Sequence, residues 1–229
     1  MFHQLHADVW IVEKPLRILR QNIGSRMTII RLKNGDLWLH SVVKLTEAEH
    51  QELTRLGPVT HIVAPNLMHH LALPEYLSHY PLARFYGARR LERKKRRIPF
   101  SETLSATPPP SWRFQIEALE IDGIPELNEV VFFHPASRTL ILTDLAFNLQ
   151  EFSGPVGRLL ARFNQCYQTF GPTRLFKSLI RDKTRLANSF RLLLQWDFDR
   201  IVLAHGNIIE TGAKEKMKSV IPNYGVTLK

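Results

Sequence analysis

"HIVAPNLMHHLALPEY" occupies residues 61–76. An apolar run halts at Ala64-Pro65-Asn66, two adjacent histidines follow at His69 and His70, and a helix-like segment begins near Pro74. The run reads as a buried strand and residues 74–80 as a short helix. Strand ends that deliver histidines to a loop often build metal sites, because the strand holds the backbone while the loop exposes the side chain.

Upstream, residues 8–14, 27–32 and 36–41 are strand-length blocks rich in aromatic and β-branched side chains. Asn34-Gly35 between the second and third predicts a two-residue hairpin turn and antiparallel pairing. Residues 46–57 predict a helix, with Thr46 as N-cap, Glu49 completing a capping box and Gly57 at the end. Downstream, residues 83–87 predict a strand and 88–96 a helix. Three successive prolines mark 105–112 as a loop. Residues 113–121, 129–134 and 138–144 predict three further strands, the last two joined by a short hairpin loop. Residues 154–195 predict two helices parted by Gly171-Pro172, and 200–206 a final strand followed by a polar or basic tail. This order predicts one domain over 1–229, a β-sandwich with helices outside. A doubly wound dinucleotide fold would need a glycine-rich turn after its first strand, and none is present.

Hydrophobic residues make up 44% and charged residues 23%, so a folded core is expected rather than disorder. No apolar run approaches the roughly 18 residues of a membrane span. The N-terminus lacks the pattern of a secretory signal, and the single cysteine, Cys166, excludes a disulfide framework or thiolate-rich metal site. A cytoplasmic location is the expectation. The formal charge of +10 suits nucleic acid, anionic lipid or an acidic protein.

Three strand ends carry the chemistry: "APNLMHH" (64–70), "LILTDLAFN" (140–148) and "IVLAHG" (201–206). In each, an apolar run stops at His or Asp. His69, His70, Asp144 and His205 together offer three imidazoles and a carboxylate, a donor set suited to zinc, iron or manganese.

The order of strands, the Thr-Asp after "LIL" and the Ala-His-Gly after "IVL" resemble the metallo-β-lactamase fold superfamily. More narrowly, the chain resembles DUF4336, a family of unknown function, over roughly residues 8 to 210. The resemblance implies an α/β (α+β) fold, a four-layer αββα sandwich holding one or two metals. It also implies hydrolysis by a metal-bound water. Asp144 matches the carboxylate that bridges two metals, and His205 the last histidine ligand. The superfamily's His-x-His-x-Asp-His motif is altered. With His70 in its last position, Pro65, Leu67 and His69 fill the first histidine, second histidine and aspartate. Sliding by one residue puts Asn66 on the second histidine, and the first alignment is preferred. The usual histidine before 129–134 is missing, where Asp122, Glu126 and Glu129 stand instead, the two glutamates as doubtful oxygen ligands.

A two-metal hydrolase needs about six to eight protein ligands. Four good donors can hold one divalent ion (zinc, iron or manganese) or none, but not the pair. The resulting expectation is a metallo-hydrolase-like protein with a reduced site, acting on a small-molecule ester or lactone. In it Asp144 is ligand and proton acceptor, His70 and His205 are ligands, and His69 is ligand or proton shuttle. The rival is a member that kept the fold, lost the chemistry and binds a protein partner or ligand. A third reading gives Arg89, Arg90, Arg93, Lys94, Lys95, Arg96 and Arg97 a nucleic-acid role, with unspecific, salt-dependent phosphate contacts.

Overall fold

A computed structural model describes residues 2–18 and 21–228. The N-terminal half runs β1 (His3–His6), β2 (Val9–Lys14), a small ribbon of β3 (Arg17–Ile18) and β4 (Gln21–Asn22), β5 (Ser25–Arg31), β6 (Leu37–His40), α1 (Glu47–Leu56), β7 (Val59–Ala64), α2 (Leu73–His79), β8 (Arg84–Gly87), α3 (Leu91–Lys94) and β9 (Phe100–Thr103). Seven of these strands make one sheet in the order β1-β2-β5-β6-β7-β8-β9. The second half runs β10 (Glu117–Glu120), β11 (Val130–His134), β12 (Thr139–Leu142), β13 (Phe147–Asn148), α4 (Gly154–Phe163), β14 (Phe170–Gly171), α5 (Arg174–Ser178), α6 (Lys183–Leu193), β15 (Arg200–Leu203) and α7 (Ala213–Val220). Its main sheet has the order β10-β11-β12-β15.

Side-chain alternation explains the layering. Successive strand residues point to opposite faces, so a strand covered on both sides feeds two cores at once. On β5–β7, Met27, Ile29, Leu37, Leu39, Ile62 and Ala64 pack outward with Leu53, Leu73 and Tyr76 of α1 and α2. The intervening Ile30, Trp38 and Val63 face inward, against Val130, Phe132 and Ile141 of the second sheet. That sheet in turn sends Val131, Phe133, Leu140 and Leu142 outward to Leu186 and Phe190 of α6 and Met217 of α7. Helix, sheet, sheet, helix is the result, the four layers that the resemblance implied.

Local signals hold where they are strongest. Thr46 and Glu49 form the capping box at the start of α1. β5 and β6 pair antiparallel with Ile30 opposite Trp38. Their turn is one residue longer than expected. Gly35 sits at φ +90° and donates its N–H to the Leu32 carbonyl, a three-residue loop that needs glycine at the left-handed position.

Other expectations are corrected. The predicted helix over 88–96 shrinks to the single turn of α3. Arg90 is left-handed (φ +72°), and clustered like charges disfavour a longer helix. Residues 113–116 form a turn rather than strand, with Phe114 at φ +71°, and Trp112 and Ile116 plug the core between the sheets. Residues 154–195 hold three helices and β14, not two helices. The expected tail is no tail: Met217, Val220, Ile221 and Tyr224 close the outer core of the second sheet. Their 3–4 spacing was an unread helical signal.

Candidate metal centre

The parallel pairing of β12 with β15 sets Leu142 opposite Leu203. Asp144 and His205 each lie two residues beyond those partners, so register alone brings them side by side. His69 arrives from the other sheet, five residues beyond the end of β7. Among the described residues, one group of His, Cys, Asp or Glu side chains could hold a metal ion: His69, Asp144 and His205, with donor atoms all within 4.8 Å of one another.

The contacts are close. His69 Nε2 lies 3.2 Å from Asp144 Oδ2, and His205 Nε2 lies 3.4 Å from Asp144 Oδ1. The two Nε2 atoms face each other at 3.2 Å. His205 Nδ1 sits 2.6 Å from the Gly24 carbonyl, which can only accept, so Nδ1 carries the hydrogen and the lone pair of neutral His205 is on Nε2. Two imidazole nitrogens facing across a carboxylate need a proton or a cation between them. The donor set fits a single zinc-like ion, with two nitrogens and one oxygen held from behind and coordination positions left open. Burial opposes ionisation of Asp144, yet the imidazoles of His69 and His205 hold its carboxyl well below the ordinary carboxylate range.

Each ligand candidate is braced. His69 Nδ1 is 2.6 Å from Ser41 Oγ, and Ser41 is itself left-handed at φ +56° just past β6. Removing that hydroxyl in Ser41→Ala frees the His69 ring, and metal affinity is expected to fall roughly tenfold, read by competition with a chelating dye. Phe147 stacks on His205 at 5.6 Å. Arg26, buried in β5, donates Nη1 to the Leu203 carbonyl and Nη2 to that of Gly206 (2.6 Å), gripping the His205 loop from the opposite sheet.

Asn66 and Glu129 organise the remainder. The Asn66 amide donates to Asp144 Oδ2 (2.7 Å) and Thr143 Oγ1 (2.9 Å), while its carbonyl oxygen accepts the amides of Met68 and His69. This side-chain turn aims His69. Glu129 accepts the backbone N–H groups of Thr143 (2.7 Å), Asp144 (2.9 Å) and Leu145 (3.0 Å). Burial first, then the Asp144 charge, pushes its carboxyl up to about 7, against the pull of those amides.

His70 is the correction among the four donors. It lies outside the cluster, buried, with Nδ1 lacking a hydrogen-bond partner among the described residues. Burial and then Lys95 and Lys94 lower its pKa to about 4. The side chain that reaches Asp144 and His205 is His69, with Asn66 three residues before it, the spacing of the register passed over above. Glu129 braces the loop rather than joining the cluster, and Glu126 pairs on the surface with Arg181 at 2.8 Å. Within the basic run, Arg89 pairs with Glu120, Arg93 with Glu92, and Lys94 donates to the Leu67 carbonyl beside the site. Sequence reasoning offered Asn66 only in the alternative register and not as the group that aims His69, and it missed Ser41 and Arg26. The Asn after a strand-ending Ala-Pro was the available signal for the first.

The αββα sandwich and the converging strand ends are those of a metallo-β-lactamase fold. A metallo-β-lactamase from Pontibacter korlensis matches over 97% of this chain and 99% of its own at 14% identity, with a TM-score of 0.66. The mono-zinc form of metallo-β-lactamase FIM-1 from Pseudomonas aeruginosa matches over 99% and 96% at 12% identity, TM-score 0.64. The metal-soaked Flv1 flavodiiron core from Synechocystis matches over 98% of this chain and 60% of its own, at 12% identity and TM-score 0.67. Residues 6–166 match the family described as Domain of unknown function (DUF4336), and the chain belongs to that family. No curated protein matches the chain.

Proposed function

We propose that this protein is a metal-dependent hydrolase with one ion, acting on a small ester- or lactone-type substrate. The observation that carries this reading is the meeting of His69, Asp144 and His205, delivered by three strand ends from two sheets. A zinc-like ion, when bound, polarises an ester carbonyl and lowers the pKa of water. His69, Asp144 and His205 would hold it. Asp144 also offers the carboxylate that accepts a proton during hydrolysis, kept ionised by the two imidazoles. Side-chain exposure is 11% for His69 against 5% for each of the other two, so substrate approach is from the His69 side. Pro65 and Leu67, together with Asn66, leave no second set of donors on that strand end, which favours one ion over two.

The test compares the protein, purified without added metal, with Asp144→Ala/His205→Ala. Close to one ion per chain in the parent and background in the variant are expected, together with loss of hydrolysis of a panel of aryl esters and lactones. Equal, substoichiometric metal in both proteins would end this reading. Metal without hydrolysis would leave the fold as a binding module.

A further inference from the structure

Helix α4 is turned inside out for a surface helix. Its small residues, Gly157 and Ala161, are the buried ones, while Val156 (68% exposed), Leu159 (67%), Leu160 (44%) and Phe163 (67%) stand in solvent. A side chain at position 157 would run into Gln21, so the helix is held close by its smallest face. Leu175 of α5 adds a further exposed apolar group (62%). Charge follows the same geography. From Phe152 to Arg181 there is no Asp or Glu, and Arg158, Arg162, Arg174, Lys177 and Arg181 supply five positive charges. Two guanidiniums stand over aromatic rings, Arg162 over Tyr167 at 4.6 Å and Arg174 over Phe163 at 4.8 Å. These contacts hold the cations at the edge of the apolar ridge.

We propose that the α4–α5 face seats on an anionic bilayer surface. Val156, Leu159, Leu160 and Phe163 enter the boundary between headgroups and acyl chains, and Arg158, Arg162 and Arg174 meet lipid phosphates. An apolar ridge along one helix, with arginines of the same segment beside it, is the pattern of a helix lying in a membrane interface. Nucleic acid would match the arginines and leave Leu159 and Val156 without a use. Among the described residues no helix is long and apolar enough to cross a membrane, so the contact is peripheral. The opposite, buried side of the helix packs toward the metal centre: Ala161 lies in one cluster with Phe147, the ring stacked on His205. The docking does not depend on the hydrolase reading.

The full chain is sedimented with vesicles of phosphatidylcholine alone and of phosphatidylcholine with about a third phosphatidylglycerol. Binding to the anionic vesicles is expected to exceed binding to the neutral ones at least about tenfold and to weaken with added salt. Leu159→Ser/Phe163→Ser should reduce it at least about tenfold. Arg158→Glu/Arg162→Glu should remove the anionic preference. All four positions are exposed, and an unchanged thermal midpoint certifies the fold of each variant. No binding to anionic vesicles, or full binding by the Leu159→Ser/Phe163→Ser variant, overturns the proposal. So does a stable dimer of the parent that this variant disperses without any vesicle binding, which would assign the ridge to a second copy of the chain.

Discussion

Glu129→Ala is expected to cost about 4 kcal/mol of folding stability and to lower the thermal midpoint by about 10 °C. The figure rests on three backbone N–H groups. Thr143, Asp144 and Leu145 all donate to this one carboxylate, in a place where Glu129 is 1% exposed. A buried donor left without an acceptor costs about 1–3 kcal/mol, and water entering the gap recovers part of that. Glu129→Gln keeps one acceptor oxygen and turns an amide toward a donor, so an intermediate loss is expected. Thermal and urea unfolding of the three proteins measures the series. An unfolding free energy for Glu129→Ala within about 1 kcal/mol of the parent would show that the amides find other acceptors, and would end the bracing role.

Neighbouring histidines should behave as opposites. His69→Ala is expected to weaken metal binding by at least about a hundredfold, because it removes one of three ligand side chains. His70→Ala should leave it within about threefold. The side chains diverge although the residues adjoin: His69 Nε2 reaches both Asp144 and His205, whereas His70 is buried outside the cluster. His70→Ala is a core truncation and is expected to cost stability without touching the ion, so affinity is measured below the unfolding range by competitive titration. Equal losses from the two variants would return His70 to the ligand set and restore the first alignment of the motif.

That pair shows where sequence reading stops. The three strand ends were legible because an apolar run halting at His or Asp is a local pattern, and parallel register then does the rest for Asp144 and His205. The order of strands and helices likewise disclosed a sandwich with helices outside, the four layers came from the family resemblance, and Thr46 with Glu49 marked the start of α1. The choice between His69 and His70 was not legible. It depends on the turn that Asn66 makes, and that turn depends on Asp144 and Thr143, more than seventy residues away. Glu129 read only as a doubtful oxygen ligand, because its role is set by which amides the fold lays across it. The basic run suggested a helix by composition, whereas Arg90 breaks the backbone at its start.

Arg26 has a meaning for assembly. It belongs to the first sheet and grips carbonyls of Leu203 and Gly206 in the second, and His69 crosses to meet Asp144 and His205 in the same way. Neither half of the chain owns the centre. The donors come within reach only when the two sheets dock in one alignment, and a slip between them would separate the ligands before it exposed the core. By mass action an ion that binds the docked form alone must also favour docking, so metal uptake at this centre would report, and reward, the final closure of the sandwich.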